Sequence, residues 1–252
     1  MVEVCALASG SNGNCYYIGN KESAVLIDAG LSRRQILDRM KKVGLNISKV
    51  KAIFISHEHT DHARGVRVLS NKQGIPVFMT QITYNNSRQE NRPEKYHPMI
   101  HDEWIMIGNI KVKPFSKLHD AVDPCSFLIR LHDLHIGVLT DIGNPCENVI
   151  ANFKMCNVAF LETNYDEKML QEGPYPAYLK YRVSSAKGHL SNNQAISLID
   201  DHAGDNLTHI FLSHISQENN HPDVIMNSFE KYNGRFNILL TNRYAPTKVF
   251  EI

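Results

Sequence analysis

His57-Glu58-His59-Thr60-Asp61-His62 places four side chains that bind metals, three imidazoles and a carboxylate, within six residues. Imidazole nitrogen together with carboxylate oxygen suits zinc, manganese, iron or cobalt better than calcium or magnesium. The preceding run, Val50-Lys51-Ala52-Ile53-Phe54-Ile55-Ser56, is β-branched and apolar and reads as a buried strand. Residues 63–69 carry the spacing of a helix packed on one side. The group therefore sits at a strand-to-helix corner. His57 and His59, alternate in an extended segment, can face one ion, while the helix start turns Asp61 and His62 towards a second. A solvated histidine-rich turn needs no such order, so the motif reads as a dinuclear metal site.

The elements that must position it follow from hydrophobic pattern. Strands are expected at 2–8, 15–19, 24–28, 50–56, 77–79, 104–107, 110–115, 126–131, 135–141, 158–162, 210–213, 237–240 and 248–250. Helices are expected at 33–43, 63–69, 144–153, 192–203 and 222–232. Two short repeats link the halves. Leu26-Ile27-Asp28-Ala29-Gly30 returns as Leu139-Thr140-Asp141-Ile142-Gly143, and Ile53-Phe54-Ile55-Ser56-His57 as Ile210-Phe211-Leu212-Ser213-His214. They predict an α/β fold of two duplicated β-rich halves, each a sheet covered by helices, packed sheet to sheet as one domain over 1–252. Strand ends of both halves then meet at one edge.

Two divalent ions need roughly eight to ten ligand positions, more than the corner supplies. Three further residues are well placed. His119 follows the strand at 110–115, and His214 ends the strand that repeats the first metal strand. Asp141 ends an apolar strand, where an unpaired carboxylate is costly and a metal partner explains it. Asp28 reads as a supporting carboxylate rather than a ligand.

Composition bounds the function. The 252 residues include 27 Lys and Arg, 26 Asp and Glu, and 13 His, for a formal charge of +1. No global field draws nucleic acid, so any such contact rests on local cations. Cys5, Cys15, Cys125, Cys146 and Cys156 form no CxxC pair. With no signal peptide and no membrane-spanning apolar run, they read as reduced thiols of a cytoplasmic protein.

The corner motif resembles that of the metallo-β-lactamase superfamily, whose fold is an αββα four-layer sandwich with a binuclear site on one edge. The chain resembles, more narrowly, the bacterial YycJ/WalJ group of that superfamily. The resemblance runs through Leu7-Ala8-Ser9-Gly10-Ser11-Asn12-Gly13-Asn14, Ile27-Asp28-Ala29-Gly30-Leu31-Ser32, His119-Asp120-Ala121 and Thr140-Asp141. It continues in Gly173-Pro174-Tyr175-Pro176, Gly188-His189-Leu190-Ser191-Asn192 and Leu212-Ser213-His214-Ile215-Ser216. Leu118 departs from it where a small polar residue is usual, and Tyr165 where a His is usual. The resemblance implies two divalent transition-metal ions (Zn, Mn or Fe). One is held by His57, His59, His119 and Asp141, the other by Asp61, His62, His214 and the same bridging Asp141. It also implies 5′-to-3′ exonuclease activity on double-stranded DNA. A hydroxide bridging the ions is the expected nucleophile, because metals bring the pKa of water to about neutrality.

Other residues are candidates for the substrate. His189, just before a helix and beside Lys187, could donate to a phosphoryl oxygen or protonate the leaving alkoxide, or simply pack beside the Ser191 cap. It stands with Asp61 as a catalytic candidate. Ser9, Ser11 and Asn14, in a glycine-punctuated loop, could contact phosphate or form a tight hairpin. Lys180, Arg182 and Lys187 could follow a nucleic-acid backbone, with Tyr175, Tyr178 and Tyr181 offering stacking faces. The turn at 173–176 could close a lid beside the metals. The expected function is thus a binuclear phosphodiester hydrolase acting on duplex DNA ends. The alternatives are a glyoxalase II-like thioesterase or small-molecule phosphodiesterase, and a metal-binding scaffold without turnover.

Overall fold

The computed structural model describes residues 1–252. Strands β1 (Glu3–Ala8), β2 (Cys15–Gly19), β3 (Ala24–Ile27), β4 (Val50–Phe54), β5 (Val77–Met79) and β6 (Tyr96–Pro98) belong to the first half. The second half holds β7 (Ile105–Ile107), β8 (Ile110–Ser116), β9 (Cys125–Leu131), β10 (Leu134–Leu139), β11 (Val158–Glu162), β12 (His209–Ser213) and β13 (Asn237–Leu240). The last strand, β14 (Phe250–Glu251), returns to the first sheet. The sheet orders are β14-β1-β2-β3-β4-β5-β6 and β13-β12-β11-β10-β9-β8-β7.

The duplication is visible in strand direction. In the first sheet the pairings from β14 to β3 are antiparallel and those from β3 to β6 parallel. The second sheet makes the same switch at β10. β3 therefore matches β10, and the Asp-x-Gly repeat lies on equivalent strands. Asp28 and Asp141 even share a left-handed backbone, with φ of 62° and 55°. The Ser-His repeat does not. β4 adjoins the switch strand, whereas β12 lies one strand further out, beyond β11.

Alternation divides each strand between two faces. Val4, Tyr16, Val25 and Phe54 meet Val112, Phe127, Val138, Phe160 and Phe211 between the sheets. The opposite face of the first sheet, with Leu7, Tyr17, Leu26 and Ile53, is covered by α1 (Arg33–Lys42), α2 (Thr60–Ala63) and α3 (Val66–Gln73) through Ile36, Met40, Ala63, Val66 and Leu69. The first half also carries α4 (Gln81–Asn86). On the outer face of the second sheet lie α5 (Glu147–Phe153), α8 (Asn192–His202) and α9 (Pro222–Ser228). The layers are α, β, β, α, as the alternation predicts.

Local chemistry explains where the helices begin. Ser32 with Gln35, and Ser191 with Gln194, form reciprocal capping boxes at α1 and α8. The expected helix at 63–69 is two pieces, α2 and α3, because Gly65 N–H leaves the helical pattern to bond Ala29 O at 2.8 Å. The expected helix at 222–232 ends at Ser228 and continues as a single 3-10 turn, Glu230–Tyr232. β6, α4, α6 (Glu167–Glu172) and α7 (Ala177–Ser184) are additional to the expected elements. Each is three to eight residues long, too short to show a period. No helix is long and apolar enough to cross a membrane, and all five cysteines are unpaired.

Candidate metal centre

The corner after β4 is held against the β1–β2 turn and the loop after β3 by backbone bonds. Asn14 N donates to Asp61 O at 2.8 Å, and Ala29 N to His62 O at 2.9 Å. Gly30 permits this approach, since a Cβ there would stand 1.6 Å from Asp61 O. At the facing sheet edge, β10 delivers Asp141, β12 delivers His214, and the loop after β8 delivers His119. Asp141 and His214 sit in the left-handed region, at φ 55° and 56°. That region costs a non-glycine residue about 1–3 kcal/mol, and Asp and His bear it better than most.

All seven expected ligands converge. Ligand atoms of His57, His59 and His119 lie within 4.8 Å of one another, as do those of Asp61, His62 and His214. Asp141 lies between the groups. Its Oδ1 is 3.7 Å from His119 Nε2 and 3.6 Å from His214 Nε2, and its Oδ2 is 3.1 Å from His62 Nε2. His119 Nε2, His214 Nε2 and Asp141 Oδ2 are buried and make no hydrogen bond. Three such atoms at one point are costly unless something absent from the protein pairs with them.

The surrounding hydrogen bonds determine which ring nitrogen is free. Ser56 Oγ gives its proton to Asp28 Oδ2 at 3.0 Å, so it accepts from His57 Nδ1 at 2.9 Å. His62 Nδ1 is 2.7 Å from Asp28 Oδ2, His119 Nδ1 is 3.0 Å from Gly188 O, and His214 Nδ1 is 2.8 Å from Glu162 Oε1. Four Nδ1 atoms are thereby committed outward, and four Nε2 atoms are left facing inward. Carboxylates and carbonyls behind ligating histidines are what a metal site requires. Asp28, the repeat counterpart of Asp141, stands behind Ser56 and His62 Nδ1 and supports the cluster rather than facing into it. The donor set fits divalent cations.

Glu162, at the end of β11, was not among the expected site residues. It is fully buried, and its Oε1 is 2.8 Å from both His189 Nδ1 and His214 Nδ1. Its Oε2 accepts from Ile142 N at 2.6 Å and Leu190 N at 3.2 Å. The signal that identified Asp141, a carboxylate closing an apolar strand, is equally present in Val158-Ala159-Phe160-Leu161-Glu162. Lys117 is a second addition, a buried ammonium donating to Thr140 O at 2.6 Å beside Asp141.

A cavity of about 280 Å³ opens over the cluster. Ser11, Arg182 and His189 line it. Ser9 and Asn14 are buried, and their polar atoms are engaged inside the protein. Ser9 Oγ contacts Tyr16 OH and accepts from His214 N, both at 2.7 Å. Asn14 Nδ2 lies 3.0 Å from His62 Nε2 and donates to Asp61 Oδ2 at 3.4 Å. Both are thus turned onto His214, His62 and Asp61, and neither lines the cavity. Among the three expected cations, Arg182 Nε pairs with Asp120 Oδ2 at 2.5 Å and Lys180 Nζ donates to Gln171 O at 2.6 Å. Lys187 is exposed. Tyr165 is buried against Leu170 and Val183, where it supports α7.

Burial holds His57 well below the usual histidine pKa and brings His119 down to about 3. Burial also opposes charge on His62 and His214, but nearby carboxylates outweigh it. Asp141, Asp28 and Asp61 hold His62 well above its usual value, and Asp141, Asp61 and Glu162 raise His214 to about 10. In the metal-free protein both rings keep a proton at neutral pH, and a metal takes only the neutral ring. Metal uptake is therefore expected to release roughly two protons per chain, with affinity rising from neutrality towards pH 10. Calorimetry in two buffers of different ionisation enthalpy reads this directly, and equal heats in both would contradict it.

A family model described as a β-lactamase superfamily domain matches residues 23–215. The chain is 34% identical to exodeoxyribonuclease YycJ of Bacillus anthracis, over 96% of each chain. It is 32% identical to exodeoxyribonuclease WalJ of Streptococcus pneumoniae, over 85% of this chain and 81% of the relative. Among solved structures, the metallo-β-lactamase fold protein YhfI from Bacillus subtilis superposes with a TM-score of 0.74 at 15% identity, covering all of both chains.

Proposed function

From a chain that belongs to the β-lactamase superfamily and is a metal-dependent hydrolase, we propose an exonuclease that degrades double-stranded DNA from its 5′ ends. Its end-to-end similarity to a protein named exodeoxyribonuclease carries the choice of polymer. His57, His59, His119 and Asp141 would hold one divalent cation. Asp61, His62, His214 and the same Asp141 would hold the other, with Zn, Mn or Fe matching the nitrogen and oxygen donors. Bound there, the cations supply a water of near-neutral pKa and neutralise charge on the phosphoryl group.

The protein's own groups complete the reaction. Burial opposes ionisation of Asp61, but the His62 and His214 imidazoles beside it hold it well below the usual carboxylate range. Asp61 therefore stays an acceptor that orients the attacking water. Arg182, at the cavity wall, leaves Asp120 to grip a phosphate oxygen with its fixed donor fork. His189 protonates the departing sugar oxygen. Glu162 holds its Nδ1 at 2.8 Å and stabilises the imidazolium. Burial works against the Glu162 charge, and His189 and His214 nonetheless bring its pKa down to about 2.

Purified protein loaded with Mn or Zn should shorten 5′-labelled duplex from the labelled end at once, while 3′ label is released only late. Efficient cleavage of a thioester with every DNA end intact would replace this reading with the glyoxalase-like one. Neutralising Lys180 and Lys187 together should lower the salt slope of duplex binding by roughly 2. It should slow hydrolysis of bis-p-nitrophenyl phosphate far less, because only the polymer extends beyond the cluster. Equal losses on both substrates would show damage to the centre instead.

A further inference from the structure

The cavity over the metal cluster has a second wall that phosphoryl transfer does not require. Tyr175, Leu179 and Val183 line it. With Tyr165 and Leu170 they form a small apolar cluster separate from the three large cores. The same cavity is lined by Asn219, which is 1% exposed and whose Oδ1 is buried with no donor. An aromatic face, an aliphatic face and one unanswered acceptor beside a phosphate-cleaving centre match a nucleobase. Its flat ring covers the wall, and an unpaired base has free N–H groups on its Watson–Crick edge. The volume of about 280 Å³ falls just below the roughly 300–1,000 Å³ typical of ligand pockets. That admits one nucleotide and excludes a base pair.

We propose that this cavity takes a single unpaired 5′-terminal nucleotide, its base against Tyr175 and Leu179 with an N–H on Asn219 Oδ1. The inference rests on the nuclease reading and deepens it. The terminal pair of a duplex must open before the cut, and mononucleotides are the product. Water oxygen bonds to phosphorus as the bond from phosphorus to the terminal nucleotide's 3′ oxygen breaks. The electron pair stays on that oxygen, and His189 supplies its proton. The leaving group is then the nucleotide in the cavity, on the side of the cluster where His189 stands.

Three duplexes that differ only at the 5′-terminal nucleotide test this: one paired G·C, one mismatched, one abasic. The wild-type protein should make its first cut in the mismatched duplex about 10-fold faster than in the G·C duplex, because no pair has to open. The abasic end should be cut about 10-fold or more slower than the mismatched end, since it has no base to stack. Tyr175→Ala should slow the mismatched end by about the same factor and the abasic end far less, and Tyr175→Phe should restore the difference. Asn219→Ala should narrow the same gap, and it reports independently if Tyr175→Ala fails to fold. Equal rates on abasic and base-bearing ends in the wild type would overturn the subsite and leave the nuclease reading intact. Dinucleotides as first products, or equal slowing of both ends by Tyr175→Ala, would do the same. No cleavage of any end would overturn the nuclease reading, and this one with it.

Discussion

Replacing Asp141 with alanine is expected to empty both metal positions and lower hydrolysis by on the order of 10⁴-fold, about 5.5 kcal/mol of barrier. Asp141 is the one carboxylate whose two oxygens face both groups of imidazoles, at 3.1 Å from His62 and 3.6–3.7 Å from His214 and His119. Burial opposes its charge, and the His214, His62 and Lys117 cations hold its pKa well below the usual range. Without it, two divalent cations would share the centre with Asp61 as the sole carboxylate among the proposed ligands. Asp141→Asn separates charge from backbone strain, because Asn tolerates the left-handed φ of 55° as Asp does. Elemental analysis of both variants decides the matter. Two ions retained in either would remove Asp141 from the bridging role proposed for it.

The second large effect is expected at His189. His189→Ala should keep near-normal metal content and lose activity by roughly 10²–10⁴-fold, the range of a general acid. The loss should shrink on a substrate whose leaving group is already a weak base, such as p-nitrophenolate, since that group departs without a proton. Glu162→Gln distinguishes positioning from protonation. Glu162 Oε1 contacts His189 and His214 at the same 2.8 Å, so this variant should weaken both activity and metal affinity. The affinity loss should be about 10–100-fold, as for other groups behind metal ligands. Metal lost along with activity in His189→Ala would make His189 a ligand, and unchanged activity would leave it a packing residue.

The sequence alone determined the strand frame and the corner. Val50 to Ser56 and the residues that follow announce themselves because strand pattern and ligand spacing are both local, readable within a dozen residues. The Asp-x-Gly repeat was equally legible, and it correctly paired β3 with β10. The Ser-His repeat misled on equivalence, because a match between two strands does not say how many strands lie between them and the switch. α6 and α7 were invisible for another reason: at six and eight residues they hold less than three turns, and packing rather than period stabilises them.

Which polar groups face the histidine and aspartate cluster and which face the rest of the protein was decided only in three dimensions. Ser9, Ser11 and Asn14 are equal candidates in the chain. Yet Ser11 borders the cavity while Ser9 and Asn14 are turned inward, onto His214 and His62. Arg182 and Lys180 are two residues apart on α7, yet only Arg182 lies at the cavity wall, held by Asp120 from 62 residues away. Glu162 acquires its importance from the same source. Its partners His189 and His214 are 27 and 52 residues further along the chain. Side-chain type and local spacing identify what can bind a metal. The free ring nitrogen, the shared carboxylate and the apolar wall depend on distances between segments far apart in sequence, and folding alone sets those distances.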